Sequence, residues 1–295
     1  MTGNPIRRVA VLGAGTMGRG IAQAAAQAGY ATVLFDAVPG VPARARDEIE
    51  ATLEKGIARG KVTVEEKAAT LGRLRLETEL APAVAAADLV VEAIPERLDL
   101  KRDLFRETEA LAPAAAILAS NTSSLSIADI AEVVQRPGRV LGLHFFNPVH
   151  LMRLVEIVVA PATENAAVER ARGFAESLGK RPIVVRDSPG FATSRLGLTL
   201  GLEAMRMREE GVATAEDIDL AMELGYNHPM GPLKLTDLVG LDVRLAIAEH
   251  LARTIDPARF EPPGVLRRMV EEGKLGRKTG EGFYLWPDGE AVTKE

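Results

Sequence analysis

Residues 7–36 read Arg-Arg-Val-Ala-Val-Leu-Gly13-Ala14-Gly15-Thr16-Met17-Gly18-Arg-Gly-Ile-Ala-Gln-Ala-Ala-Ala-Gln-Ala-Gly29-Tyr-Ala-Thr-Val-Leu-Phe-Asp36. The apolar run over 7–12 predicts a short buried strand. The glycine stretch predicts a tight turn, and the alanine-rich segment a helix reaching Ala28 and stopping at Gly29. A second strand over 31–35 ends at Asp36. Together these form one βαβ unit with Gly-x-Gly-x-x-Gly between its first strand and its helix, the arrangement that cradles a dinucleotide pyrophosphate. Gly13 allows the turn, Gly15 lets the backbone approach the pyrophosphate, and Gly18 lets the helix pack on the strand. The helix N-terminus, with Ala14, Thr16 and Met17 around it, favours the phosphate charge. Asp36 suits a ribose diol and would repel a 2′-phosphate; Ala37 follows it rather than an arginine, so NAD is expected over NADP. The competing reading is a set of turn glycines with a capping aspartate.

A chain of 295 residues points to two domains. Hydrophobic content of 47% with 26% charged residues is that of a globular protein. A net charge of −5 argues against a nucleic-acid or membrane-surface partner. With no cysteine, a disulfide scaffold, a zinc-thiolate site and a thiol nucleophile are excluded. No segment reaches the roughly 20 apolar residues of a membrane span. The opening Met1-Thr2-Gly3-Asn4-Pro5 does not read as a signal peptide, so a cytoplasmic location is expected.

Residues 41–74 interrupt the α/β rhythm and read as two charged helices, with Thr63 and Glu66 as a capping box opening the second. Further strands are expected over 88–94, centred on Val90 and Val91, and over 117–120, 140–144, 155–159 and 183–185. They alternate with helical stretches, so the sheet should be mostly parallel. The pattern changes at Asp187-Ser188-Pro189-Gly190. Ser188 is expected as an N-cap and Pro189 as a first-turn proline. Phe191, Leu198, Leu202 and Met205 then share one helical face, which Gly211 ends. Helices are expected over 214–224, 233–239, 241–253 and 265–272, with no strand among them. The expected architecture is α/β: a Rossmann-type dinucleotide-binding domain over 1–187 with a helical insertion, and an all-helical second domain over 188–295.

The chemistry is expected in His144-Phe-Phe-Asn-Pro-Val-His-Leu-Met-Arg-Leu-Val-Glu156. A hydride leaves an alcohol carbon only as the hydroxyl proton is removed, and neutral imidazole suits that task. His144 ends a strand where ligands of such sheets bind. Glu156, on the next apolar stretch, could hold the imidazole tautomer and stabilise the imidazolium. The plainer alternative is a structural histidine with a surface glutamate. His150 reads as a turn residue lining the cleft, His228 as a loop residue before Pro229, and His250 as a solvated helix end. Their spacing fits no metal motif, and no Gly-x-Ser-x-Gly elbow is present. In Ser120-Asn121-Thr122-Ser123-Ser124, hydroxyls could bind a substrate oxygen or the nicotinamide ribose. Ser123, Ser124 or Ser126 could equally cap the following helix.

Five motifs carry a resemblance: Gly-Ala-Gly-Thr-Met-Gly at 13–18, Val-Val-Glu-Ala-Ile at 90–94, Ser-Asn-Thr-Ser-Ser at 120–124, His-Phe-Phe-Asn-Pro at 144–148 and Lys-Thr-Gly-Glu-Gly-Phe-Tyr at 278–284. In these, in order over about residues 7–286, the chain resembles the short-chain L-3-hydroxyacyl-CoA dehydrogenases, 3-hydroxybutyryl-CoA dehydrogenases included. The resemblance implies NAD-dependent, reversible oxidation of an (S)-3-hydroxyacyl-CoA, as in fatty-acid β-oxidation. It implies His144 as base, Glu156 as its orienting partner, and Ser123 and Asn147 near substrate and nicotinamide. Asp36, Glu96, Lys101 and Lys278 would contact NAD, although the last three could instead be solvated charges. Thr52 and Arg59 would face the CoA, and Lys101 and Ser123 would also lie on the substrate side. The resemblance further implies a homodimer through the helical domain and an active site in the cleft between domains. The chain departs from the family at Ser194, where an asparagine is usual before Arg195, and at His150, where proline is common. Two other readings stay open: a dehydrogenase of a free hydroxy acid such as L-gulonate or carnitine, and a non-catalytic NAD-binding protein of the crystallin kind. A 6-phosphogluconate-type dehydrogenase would need an Asn-x-x-x-Lys lysine, which the corresponding region lacks.

Overall fold

The computed structural model describes residues 5–294, so the expectation for the chain's first four residues lies outside it. The chain forms two compact units that part between Ser188 and Pro189. The first runs β1 (Arg8–Leu12), α1 (Thr16–Gln27), β2 (Ala31–Phe35), α2 (Val41–Ala58), α3 (Val64–Gly72), β3 (Leu74–Glu77), α4 (Leu80–Val84), β4 (Leu89–Glu92), α5 (Leu98–Leu111), β5 (Ile117–Ser120), α6 (Ile127–Ala131), β6 (Val140–Phe145), β7 (Leu154–Val159), α7 (Asn165–Ser177) and β8 (Arg181–Arg186). The strands form one sheet in the order β3-β2-β1-β4-β5-β6-β7-β8. Strand order reverses between β1 and β4, and the crevice beyond their C-terminal ends is where such sheets bind ligands.

Every strand pair is parallel except β6 with β7. Only residues 146–153 join those two, fewer than the dozen or so that a parallel crossover needs, so the chain must turn back on itself. The central strands are wholly buried: Val9, Val11, Leu89, Val91, Ile117, Leu141 and Ile157 share one core. The insertion is two helices as expected. At its second start the Thr63 hydroxyl accepts from the Glu66 N–H at 3.1 Å, while Glu66 accepts from the Thr63 N–H at 2.8 Å. β3 and α4 were not expected. β3 reads Leu-Arg-Leu-Glu on the sheet's edge and is only partly buried, so it lacks the apolar run of its neighbours.

The second unit holds α8 (Thr193–Glu209), α9 (Ala215–Gly225), α10 (Pro232–Val239), α11 (Leu241–Thr254), α12 (Pro257–Phe260) and α13 (Gly264–Glu271). Its described residues contain no strand, only isolated bridges in the tail such as Gly276–Glu281. Leu198, Leu202, Met205, Leu233 and Leu251 centre its core. The start of α8 corrects the expectation at Ser188 and Pro189. Gly190 (φ 73°) and Phe191 (φ 48°) are left-handed, a conformation a right-handed helix cannot include, so the helix opens at Thr193 with Ala192 as its cap. Phe191 is buried but precedes the helical face it was expected to share. His250 lies inside α11 and is half-buried rather than a solvated helix end.

Candidate active site

The glycine turn joins β1 to α1, and each glycine answers a different packing demand. Gly13 has φ 100°, and a Cβ there would meet the Ala93 carbonyl oxygen at 2.7 Å. A Cβ on Gly18 would lie 1.7 Å from the Gly13 oxygen. A Cβ on Gly15 would meet nothing within 4 Å. Gly15 also caps α1 without a side-chain hydrogen bond, and no acidic residue stands in the helix's first turn. Open space at the N-terminal end of a helix is what a dinucleotide pyrophosphate requires, so these residues fit the group. Asp36 sits at the end of β2. Its carboxylate accepts from the Ala14 N–H and from the Val38 N–H, each at 3.0 Å, which ties the ribose-side acid to the pyrophosphate turn.

His144 and Glu156 are directly opposite partners in the β6–β7 ladder. Side chains opposite one another across a ladder project to the same face, and here the imidazole Nδ1 lies 2.7 Å from Glu156 Oε2. His144 is 7% exposed and Glu156 fully buried, which removes the plainer alternative of a surface glutamate. With its Nδ1–H donated to a carboxylate, the ring carries its basic lone pair on Nε2. Phe146 stacks obliquely on the imidazole, ring centres 4.4 Å apart. His144 borders a cavity of about 340 Å³ together with Met17, Glu96, Asn121, Ser123 and Asn147. The asparagine side chain of Asn121 accepts from the Phe145 N–H at 2.9 Å, locking β5's end to β6.

Glu96 organises the serine loop. It accepts from the Thr122 hydroxyl at 2.6 Å, from the Ser123 N–H at 2.9 Å and from the Ser123 hydroxyl at 3.3 Å. Burial raises its pKa, but the Lys101 charge and the Thr122 and Ser123 hydrogen bonds outweigh it, leaving a carboxyl below its ordinary value. Lys101 is 1% exposed and so is not the solvated charge that was one possible reading. Its ammonium lies 2.6 Å from Glu92 and 3.3 Å from Glu96. Glu92, also 1% exposed, accepts in addition from the Ser120 hydroxyl at 2.6 Å and the Ile94 N–H at 2.7 Å. Glu92 was not among the expected site residues. Its signal was a lone acid inside the apolar run Val90-Val91-Glu92-Ala93-Ile94, which demands a buried cation. The serines divide the roles proposed for them: Ser126 caps α6 by accepting from the Asp129 N–H at 3.1 Å, while Ser123 faces the cavity.

A second, smaller cleft of about 100 Å³ is lined by Thr16, Arg19, Thr52, Asn147 and His150. Asn147 therefore borders both spaces. Arg19 of α1 pairs with Glu48 of α2 at 2.9 Å, fastening the insertion to the glycine-turn helix. Arg59 caps the C-terminal end of α2 and is exposed. Burial lowers the pKa of His150, and the nearby Lys180 and Arg59 charges lower it further. Ser194 and Lys278 belong to the helical unit, Ser194 in the first turn of α8 and Lys278 with its ammonium 2.5 Å and 2.6 Å from the two Asp242 oxygens. Among the described residues, no group of three or more His, Asp or Glu side chains could hold a metal ion.

Residues 8–188 match the family described as 3-hydroxyacyl-CoA dehydrogenase, NAD binding domain, and residues 190–286 match 3-hydroxyacyl-CoA dehydrogenase, C-terminal domain. The chain is 44% identical over 289 residues to a mitochondrial hydroxyacyl-coenzyme A dehydrogenase of Rattus norvegicus, covering 95% of this chain and 91% of the relative. It is 42% identical over 283 residues to a 3-hydroxybutyryl-CoA dehydrogenase of Mycobacterium tuberculosis, covering 95% and 99%. The crystal structure of an (S)-3-hydroxybutyryl-CoA dehydrogenase from Ralstonia eutropha matches with a TM-score of 0.92 at 39% identity, over 96% of this chain and 99% of that one.

Proposed function

Because the chain belongs to the 3-hydroxyacyl-CoA dehydrogenase family, we propose that it oxidises an (S)-3-hydroxyacyl-CoA, such as 3-hydroxybutyryl-CoA, to the 3-oxoacyl-CoA, reversibly and with NAD. The observation that carries this reading is the buried His144–Glu156 pair at 2.7 Å, on the rim of a cavity shared with Met17 of the glycine turn. His144 Nε2 takes the proton of the 3-hydroxyl and returns it in the reverse direction. The imidazolium so formed faces a fully buried carboxylate, where the attraction is stronger than in water. Ser123 and Asn147 orient the alcohol and thioester oxygens, and Glu96 sets the angle of Ser123. Gly13, Ala14, Gly15, Thr16, Met17 and Gly18 would hold the pyrophosphate of NAD, Asp36 its adenine-side ribose, and Ser123, Asn147, Glu96 and Lys278 its nicotinamide half. When bound, NAD supplies the hydride acceptor. Lys101 serves that region from behind, by fixing Glu96. Thr52 and Arg59 would meet the CoA, whose phosphates suit a hydroxyl and a guanidinium, and Ser194 would approach the acyl end.

The domains fall at 1–187 and 188–295 in this reading, with the helical one forming a homodimer. Three helices support that, each offering two exposed apolar residues one turn apart: Leu196 and Leu200, Leu220 and Leu224, Leu235 and Val239. Sedimentation of the whole chain reads the oligomer. No helix among the described residues is long and apolar enough to cross a membrane; a cytoplasmic location remains part of the proposal and is checked by cell fractionation.

The deciding experiment follows NADH oxidation with acetoacetyl-CoA beside free acetoacetate. Turnover is expected with the CoA ester, and His144→Gln should lower it about 10³-fold while NAD affinity holds. Turnover of the free acid alone would move the substrate to a free hydroxy acid, and an unimpaired His144→Gln would end the mechanism.

A further inference from the structure

Lys180 follows Gly179 (φ 71°), the left-handed residue that ends α7, and it immediately precedes β8. Its side chain turns inward and only 9% of the residue is exposed. The ammonium donates to the carbonyl oxygens of Val149 at 2.5 Å and of Met152 at 2.8 Å. Among the described residues no carboxylate stands within ion-pair distance of it. A buried cation without an acid costs several kcal/mol in desolvation, and an apolar side chain of similar size would pack there at lower cost. Lysine at this position therefore needs a reason other than stability.

Both carbonyls belong to residues 146–153, the connection between the strand of His144 and the strand of Glu156. That connection has little apolar anchorage. Leu151 is 58% exposed and Met152 40%, and Val149 alone is packed away at 2%. Val149 sits against the glycine-turn helix so closely that a Cβ on Gly20 would come within 2.9 Å of its Cγ2. The loop is thus gripped on one side by α1 and on the other by one ammonium that draws together two carbonyls three residues apart. Within the gripped turn, the Leu151 and Met152 N–H groups both donate to the Pro148 carbonyl at 3.0 Å. Asn147 stands at its entry and borders both cavities.

We propose that Lys180 is a positioning residue for the dehydrogenase reaction: through its two carbonyl hydrogen bonds it holds the 146–153 turn, and with it Asn147, at the substrate. This rests on the reading of Asn147 given above. A displacement on the order of 1 Å at such a group lowers turnover by as much as about 100-fold.

The chain has no cysteine, so Lys180→Cys introduces a single thiol. Alkylating it with 2-bromoethylamine in denaturant and refolding rebuilds a lysine-length side chain ending in an ammonium. Lys180→Cys is expected to lower kcat and raise KM for acetoacetyl-CoA, 10- to 100-fold together, on the order expected for a misplaced group. The NAD dissociation constant should stay within about twofold, as the glycine turn is untouched. Aminoethylation should restore both constants, and capping the thiol with a neutral methylthio group should not. Wild-type kinetics in the folded cysteine variant, or equal recovery with the neutral cap, overturns the proposal. If the cysteine variant does not fold, Lys180→Met keeps the packed stem and should show the same kinetic split; normal kinetics there overturns it too. Loss of folding in both variants would assign Lys180 to the unit as a whole and overturn its local role. Asn147→Ala, assayed alongside, separates the two ideas: normal turnover in that variant removes the reading of Asn147 itself.

Discussion

His144 and Glu156 lie 12 positions apart in sequence and 2.7 Å apart in space. The carboxylate's contribution to catalysis can be separated from its shape. Glu156→Gln keeps the volume but offers no negative charge to the imidazolium, so kcat should fall at least about 100-fold with NAD affinity unchanged. A loss below about threefold would leave Glu156 only an orienting part. At this scale the sequence was most legible where chemistry restricts the residue type: a histidine and an acid on successive apolar strands, and an acid ending the second strand of a dinucleotide motif. It was least legible where a side chain serves another side chain. Lys101 was expected to touch a ligand, yet its ammonium is enclosed between Glu92 and Glu96. Glu92 was passed over because a charge inside a strand declares its meaning only once the partner, arriving from α5, is known.

Among the elements, the glycine turn separates packing from binding within six residues. Gly18→Ala would drive a Cβ into the Gly13 carbonyl, and overpacking of this kind costs on the order of 1–3 kcal/mol or more; the melting temperature should drop and NAD binding with it. Gly15→Ala meets no atom. Its stability should fall by about 1 kcal/mol or less, the cost of a poorer helix cap, while NAD binding weakens at least about tenfold (~1.4 kcal/mol) because the methyl occupies the pyrophosphate's approach. Equal stability loss in the two variants would contradict this division. The two central strands and the capping box of α3 were plain in the sequence, since buried strands and caps have local signatures. β3 escaped because an edge strand buries only part of itself, and the start of α8 was misplaced because a serine–proline pair looks the same whether or not left-handed residues follow.

For the molecule as a whole, the two units should answer acid differently. Burial raises the pKa of Asp219 and of Asp237 in the helical unit, against the hydrogen bonds from Leu233 and Tyr284 to the first and from Trp286 to the second. A raised folded-state pKa means that the folded form holds the proton more tightly. These groups therefore weigh against folding at neutral pH, and that burden lifts as pH falls through the raised value towards the ordinary one. Asp88 and Glu96 in the sheet unit are lowered. Their contribution is complete above the ordinary carboxylate pKa and is lost only as pH falls through the lowered value. Trp286 is the chain's single tryptophan, and its indole N–H donates to Asp237 at 2.9 Å, so its fluorescence reports the helical unit. Its urea midpoint should rise from about pH 7 to about pH 5, and Asp237→Asn should flatten the rise; a midpoint that falls over that interval would contradict the account. The all-helical character of this unit was legible from its periodicity, whereas the pairing of Lys278 with Asp242 was not, because their 36-residue separation leaves no local trace. The reversal of β7 against β6 has a bearing on how such an enzyme can vary. A ladder counts in twos, so losing one residue from either strand would turn His144 or Glu156 to the opposite face. The connection between them is under no such arithmetic. Residues can be added to or taken from it while base and acid stay in register, which leaves the chain free to reshape the wall facing its substrate without disturbing the proton's path.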